Sequence, residues 1–130
     1  MREHTFTTRV RYGETDRMGV VYHAHYLVYF EIGRTELLRA AGLAYRELER
    51  RGLCLAVVES RCRHLSPAHY DDVLRIETRV ASLGKASVLF EYDVRAEDGR
   101  RVAEGHTRLV ALDRRWRPTR LPEDVVSRLR

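Results

Sequence analysis

The sequence contains no asparagine and no glutamine, and Lys85 is its single lysine. Thermolabile amides are thus missing while charged residues make up 33% of the chain, which fits a heat-adapted protein; a GC-rich genome gives the same arginine bias. No run approaches the roughly 18 apolar residues that cross a bilayer, and Met1-Arg2-Glu3-His4 leads directly into a strand-like pattern instead of an apolar signal core. The expectation is a cytoplasmic protein without a membrane span. Cysteine is scarce. Cys54 and Cys62 sit in one extended segment, where eight residues place them roughly 26 Å apart, far beyond the Cα separation of about 7 Å that a disulfide spans. Neither belongs to a CxxC, so zinc is disfavoured, and both read as small buried apolar residues. Proline occurs only at 67, 118 and 122, in connections and tail.

What is present is basic: net charge +5 and a pI near 9.6 favour anionic partners. Acidic residues are interspersed almost everywhere, and Arg114, Arg115, Arg117 and Arg120 form the one dense basic run. No stripe of cations interleaved with aromatics accompanies the charge, so nucleic acid is not the expected partner; a phosphate-bearing small molecule suits it as well. At 130 residues the chain predicts one domain, 1–130, with a short tail from about 113.

Phe6, Thr8, Val10 and Tyr12 alternate with Thr7, Arg9 and Arg11, the period of a half-buried strand ending near Gly13. Tyr26, Phe30, Gly33, Leu37 and Ala41 then step by three and four, one stripe along a helix closed by Gly42. A second helical piece spans Tyr45 to Arg51. Four strands are predicted beyond Gly52: Leu53 to Leu65, Val73 to Leu83, Ser87 to Ala96 and Arg101 to Leu112. Gly84-Lys85 and Asp98-Gly99 are turn signals, the latter a preferred two-residue hairpin pair, so these strands are antiparallel. The order predicts an α+β fold, one long central helix wrapped by a curved five-stranded antiparallel sheet, with a short helix in the tail.

Chemistry concentrates between the first strand and the helix, in Tyr12-Gly13-Glu14-Thr15-Asp16-Arg17-Met18-Gly19-Val20-Val21-Tyr22-His23-Ala24-His25-Tyr26. A carboxylate ahead of a helix N-terminus can act as a base on water or as a nucleophile on an activated acyl group, while free amides of the first turn polarise the carbonyl. Taken bare, Asp16 equally suits an N-cap or Asx turn. His23 and His25 lack a third ligand at metal spacing, so no metal is expected. His23 is read as a hydrogen-bonding member of the site and His25 as structural. Tyr12, Tyr22, Tyr26 and Tyr29 crowd the same region, as acyl-pocket lining or as core.

This stretch resembles the 4-hydroxybenzoyl-CoA thioesterase family of hotdog proteins, in particular its branch of small acyl-CoA thioesterases associated with the Tol-Pal system. The resemblance is carried by Arg11-Tyr12, Thr15-Asp16, Gly19-Val20-Val21-Tyr22-His23 and Tyr26, then Glu31, Arg34 and Glu36. It continues in Val57-Val58-Glu59 and Leu65-Ser66-Pro67-Ala68-His69-Tyr70-Asp71-Asp72, and it covers about Thr5 to Leu112. It implies the hotdog fold and hydrolysis of an acyl-coenzyme A thioester, with Asp16 as catalytic carboxylate and His23 as its partner. The polarising amides then belong to Val21, Tyr22 or His23. No cofactor is implied, coenzyme A being part of the substrate. Tyr22 and Tyr26 become candidates for binding the acyl group, and Lys85, Arg61 and Arg63 for the phosphates. Ser87 matches a residue near the pantetheine in relatives. Glu59, on a strand here, is read as structural or interfacial. Arg17-Met18 replaces smaller residues, which bears on acyl preference.

The resemblance also implies a homo-oligomer, a dimer or a dimer of dimers, because a lone unit leaves a sheet edge and cleft incomplete. Two other functions share the fold: a hotdog dehydratase or isomerase, whose usual catalytic pair is not evident, and a non-enzymatic acyl-CoA-binding regulatory module, against which Asp16 argues.

Overall fold

A computed structural model describes residues 1–130. Strand β1 (Glu3–Arg9) leads through a short 3-10 turn at Tyr12–Glu14 to helix α1 (His25–Ala40), and α2 (Tyr45–Arg50) follows. Strands β2 (Cys54–His64), β3 (Val73–Leu83), β4 (Ser87–Ala96) and β5 (Arg101–Leu112) complete the sheet, and α3 (Glu123–Leu129) ends the chain. The five strands pair antiparallel in the order β1-β3-β4-β5-β2, so β1 and β2 are the edges. The fold is α+β, as the patterns predict.

Alternation decides the faces. Leu74, Ile76, Thr78 and Val80 of β3, and Val88, Phe90, Tyr92 and Val94 of β4, turn inward and are buried. The predicted helical stripe meets them: Tyr26, Phe30, Leu37 and Ala41 all belong to the core. Two glycines permit this approach. A Cβ on Gly33 would come 2.9 Å from Ile76 and overlap Thr78, and one on Gly105 would come 2.8 Å from the Phe30 ring. Phe30 lies instead flat on Tyr92, ring centres 4.3 Å apart. Helix α3 closes the far end with Val125 and Leu129, and the Arg2 amide donates to the Leu129 carbonyl at 3.0 Å.

The outer face is charged. Glu91, Arg79, Asp93, Arg101, Glu104 and Arg63 form an alternating chain across β4, β3, β5 and β2, with contacts of 3.2 Å (Arg79 to Glu91), 3.8 Å (Arg79 to Asp93), 2.9 Å (Arg101 to Asp93) and 2.8 Å (Arg63 to Glu104), and a close Arg101–Glu104 pair.

Three local expectations are corrected. The first strand stops at Arg9 instead of reaching Tyr12, which is 78% exposed and stacks on Tyr70 at 4.7 Å. The Val10 backbone bonds to the 71–72 turn and the Arg11 amide to Glu14, which bends the chain out of the sheet. Cys54 is exposed instead of buried, because alternation sends Leu55 to the core and its neighbour outward; Cys62 is half-buried, and both are free thiols. The β4–β5 turn uses four residues, 97–100, not two, with Asp98 accepting the Arg100 amide and Gly99 at φ 90°. In β2 a bulge lies between Val57 and Glu59, and Glu59 pairs with His106 at 2.7 Å on the exposed side.

Candidate active site

The segment between β1 and α1 is organised by a buried carboxylate. Glu14 is 6% exposed. It accepts hydrogen bonds from the Tyr29 hydroxyl (2.8 Å), the Arg11 amide (3.1 Å) and Arg11 Nε (3.0 Å), and His25 Nε2 stands 3.4 Å away. Burial alone would raise its pKa, but the Arg11 amide, the Tyr29 hydroxyl and the Arg11 side chain outweigh it and hold the group below its ordinary value. Its carbonyl accepts the Tyr22 amide at 2.9 Å. One residue thus ties the loop to the first two turns of α1.

Asp16 sits on the tight turn that follows. Its Oδ1 accepts the Met18 amide at 2.8 Å, its carbonyl the Gly19 amide at 2.9 Å, and its own amide donates to the Val20 carbonyl at 2.9 Å. Gly19 closes the turn at φ 81°, a conformation side chains resist. Asp16 therefore makes an Asx turn and still opens on a cleft of about 340 Å³. His23 and Tyr26 line the same cleft, with Met18, Val20 and Val21 as apolar wall. Tyr26 is 4% exposed, and burial pushes its hydroxyl up to about 12.

The polarising amides need correction. The Val21 amide donates to the Ala68 carbonyl (2.8 Å) and the Tyr22 amide to Glu14, so neither is free for a ligand. The His23 and Ala24 amides, just ahead of α1, make no hydrogen bond within the chain. Tyr22 leans on His23, ring centres 4.6 Å apart, and is half exposed without lining the cleft.

The other wall comes from far along the chain. His64, Leu65, Ser66 and Pro67 bring the end of β2 and its following turn to the cleft. The His64 ring meets Tyr26 edge-on at 5.3 Å and His23 at 6.3 Å, and Cys62 Sγ lies 3.9 Å from its Nδ1. Burial raises the Cys62 thiol to about 11, so it is no ready nucleophile at neutral pH.

The candidate phosphate contacts do not gather here. Arg61 and Arg63 point to the outer face of the sheet, in a concavity of about 240 Å³ with Arg79, Glu91, Glu104 and His106, and Arg63 is paired with Glu104. Lys85 lies in the β3–β4 turn, at the opposite end of the sheet from Asp16, beside Arg120 and Arg130 in a third concavity; Ser87 begins β4 there. A single chain does not join these four residues to Asp16.

The Thioesterase-like superfamily matches residues 10–129. A candidate acyl-CoA thioesterase of Bacillus subtilis is 36% identical over 65% of this chain and 62% of its own length, so that match spans under two thirds of the relative. The acyl-CoA thioester hydrolase YbgC of Escherichia coli O157:H7 is 31% identical over 92% of this chain and 90% of that one. Among solved structures, a hypothetical protein from Thermus thermophilus is similar with TM-score 0.92 and 41% identity over 96% of this chain and 95% of that one.

Proposed function

This chain belongs to the thioesterase-like superfamily, and from that premise we propose how it works as an acyl-coenzyme A thioester hydrolase: Asp16 is the working carboxylate, and the amide of His23, joined by that of Ala24, polarises the carbonyl. The supporting observation is that Asp16 and His23 open on one cleft, and that the amides of His23 and of its neighbour Ala24 make no hydrogen bond while those of Val21 and Tyr22 are taken. The thioester oxygen accepts from the free amides, which stabilise the charge it gains as the carbonyl carbon becomes tetrahedral. Asp16 either draws a proton from the attacking water or attacks the carbonyl itself, forming an anhydride that water then opens. In both routes the C–S bond breaks, coenzyme A leaves as thiolate and takes up a proton, and the acid is released. His23 is positioned to hold the water or the carboxylate, and neutral Tyr26 with the apolar wall receives the acyl group.

The site is completed by a second copy. Strand β2 is an open edge with Val57 and Val58 47% and 58% exposed, and Leu27 and Val28 of α1 are each 41% exposed. A two-fold partner paired along β2 runs antiparallel to it, which carries the partner's Lys85 and Ser87 end towards this Asp16. Outer-face association then makes the homotetramer. Light scattering should return two or four times 15.2 kDa; a single chain's mass would sink this assembly. Two free thiols support a reducing, cytoplasmic setting, and the amide-free composition supports adaptation to heat.

The test follows thiol release from acetyl-, butyryl-, lauroyl-, benzoyl- and phenylacetyl-CoA by the native protein and Asp16→Asn. The variant should fold and lose activity by roughly a hundredfold or more. Equal rates would remove Asp16 from the mechanism, and binding of acyl-CoA without hydrolysis by the native protein would favour a regulatory module.

A further inference from the structure

The loop after β5 carries a feature that hydrolysis leaves unused. Trp116, the one tryptophan in the chain, is 80% exposed and has φ 62°, a conformation that is an outlier for a bulky side chain. Its display is built in. Asp113 Oδ1 accepts the amides of Arg115 (2.8 Å) and Arg117 (3.1 Å), and the Trp116 amide donates to the Asp113 carbonyl at 3.0 Å. A bridge between Leu112 and Pro118 closes the base. Arg114 crosses Gly52, where any Cβ would strike it, and donates to the Arg50 carbonyl at 3.0 Å, pinning the loop to the end of α2.

The tip is thereby a rigid convex knob with an aromatic ring at its summit. Arg115 and Arg117 flank it in the chain, both exposed and neither in an ion pair or side-chain hydrogen bond, and Arg120 is exposed three residues further on. The nearby acids are engaged or few: Asp113 is taken by the loop amides, Asp124 pairs with Arg51 at 2.8 Å, and Glu123 lines a concavity together with Lys85 and Arg120. A tryptophan ring with flanking guanidinium groups suits the boundary of an anionic bilayer, the ring entering the headgroup layer while the cations meet phosphates. A strand of nucleic acid calls for the opposite shape, a groove that tracks successive phosphates.

We propose that the Asp113–Arg117 knob is a peripheral docking surface for anionic phospholipid bilayers, with Trp116 inserted and Arg115 and Arg117 at the phosphates. The contact involves neither Asp16 nor the cleft of the same chain. It is reversible, since one ring and a few cations fall short of a permanent anchor.

Trp116 emission reports it directly, because no other tryptophan contributes. The full chain is mixed with vesicles of equal parts phosphatidylglycerol and phosphatidylcholine, or of phosphatidylcholine alone. Only the anionic vesicles should shift emission to the blue, with quenching by brominated acyl chains and weakening by salt. Each arginine removed should lower partitioning about five-fold, so Arg115→Ala with Arg117→Ala should lower cosedimentation about 25-fold. Trp116→Gly, which accepts the positive φ, should fold, hydrolyse acetyl-CoA normally and lose the vesicle contact. Unmoved emission with anionic vesicles overturns the proposal, as does undiminished binding by these variants. A blue shift produced instead by single-stranded oligonucleotide, by coenzyme A, or by raising protein concentration alone assigns the knob to that other partner.

Discussion

Replacing Glu14 by glutamine tests whether one buried carboxylate sets the loop that carries Asp16. Three donors converge on Glu14: the Tyr29 hydroxyl at 2.8 Å, the Arg11 amide at 3.1 Å and Arg11 Nε at 3.0 Å. An amide keeps a single acceptor oxygen and turns its NH2 towards a donor. Tyr29 can reverse its hydroxyl; the Arg11 nitrogens cannot. The substitution therefore gives up one Arg11 bond, whose donor turns to water, and removes the charge assistance on the others, a cost of about 2 kcal/mol, or roughly 8 °C in melting temperature for a chain of this size. The pH dependence gives the sharper readout. The Arg11 and Tyr29 donors hold the folded Glu14 pKa below its ordinary value, so its stabilisation is present above the ordinary carboxylate range and is lost as pH falls through the folded pKa. Glu14→Gln lacks this loss. The melting gap between native protein and variant should be full at pH 7 and close under acid conditions. Thioester hydrolysis at neutral pH should fall about tenfold through a displaced Asp16 turn. Equal melting temperatures at pH 7, or a gap that persists unchanged in acid, would refute the account of Glu14 as the hub.

The thiols should separate in labelling at pH 8: exposed Cys54 reacts at once with an aromatic disulfide reagent, whereas burial, which pushes Cys62 to about 11, leaves about one molecule in a thousand as thiolate there. Two fast equivalents would contradict the burial of Cys62. Gly33→Ala places a methyl 2.9 Å from Ile76 and into Thr78, so the denaturation midpoint should drop by about 1–3 kcal/mol equivalent; an unchanged midpoint would mean α1 can lift off the sheet. Tyr26→Phe should leave the pH–rate profile unchanged up to about pH 10, since the native hydroxyl titrates near 12. Loss of an ionisation below that pH in the variant would make Tyr26 a proton donor or acceptor.

The elements were legible where neighbours in sequence are neighbours in space. The stripe from Tyr26 to Ala41 and the alternations of β3 and β4 needed only their own period. Tyr12 continued the alternation on paper but left the sheet, because the competing partners, Glu14 and the 71–72 turn, act through hydrogen bonds that no periodicity encodes. Cys54 shows the same limit: its residue type favours burial, but its place on an alternating strand decides exposure. At the cleft, Asp16, His23 and Tyr26 lie within eleven residues and could be read together. His64 to Pro67 arrive from forty residues further on, through the pairing of β2 with β5, and no local pattern announces them. The acceptors of the Val21 and Tyr22 amides, the Ala68 and Glu14 carbonyls, are likewise set by the folded loop and not by any local period.

The alternating chain of charges on the outer sheet face has a consequence for how this sequence can drift. From Arg79 to Glu104 each member touches two opposite charges, so deleting either central one, Asp93 or Arg101, leaves both its neighbours a remaining partner instead of an isolated charge. Each exposed contact is individually weak, and failure is graded. Single replacements there are absorbed, pair by pair, and a lineage can exchange one ion pair for another without passing through an unstable ancestor, while the glycines under α1 leave no such freedom.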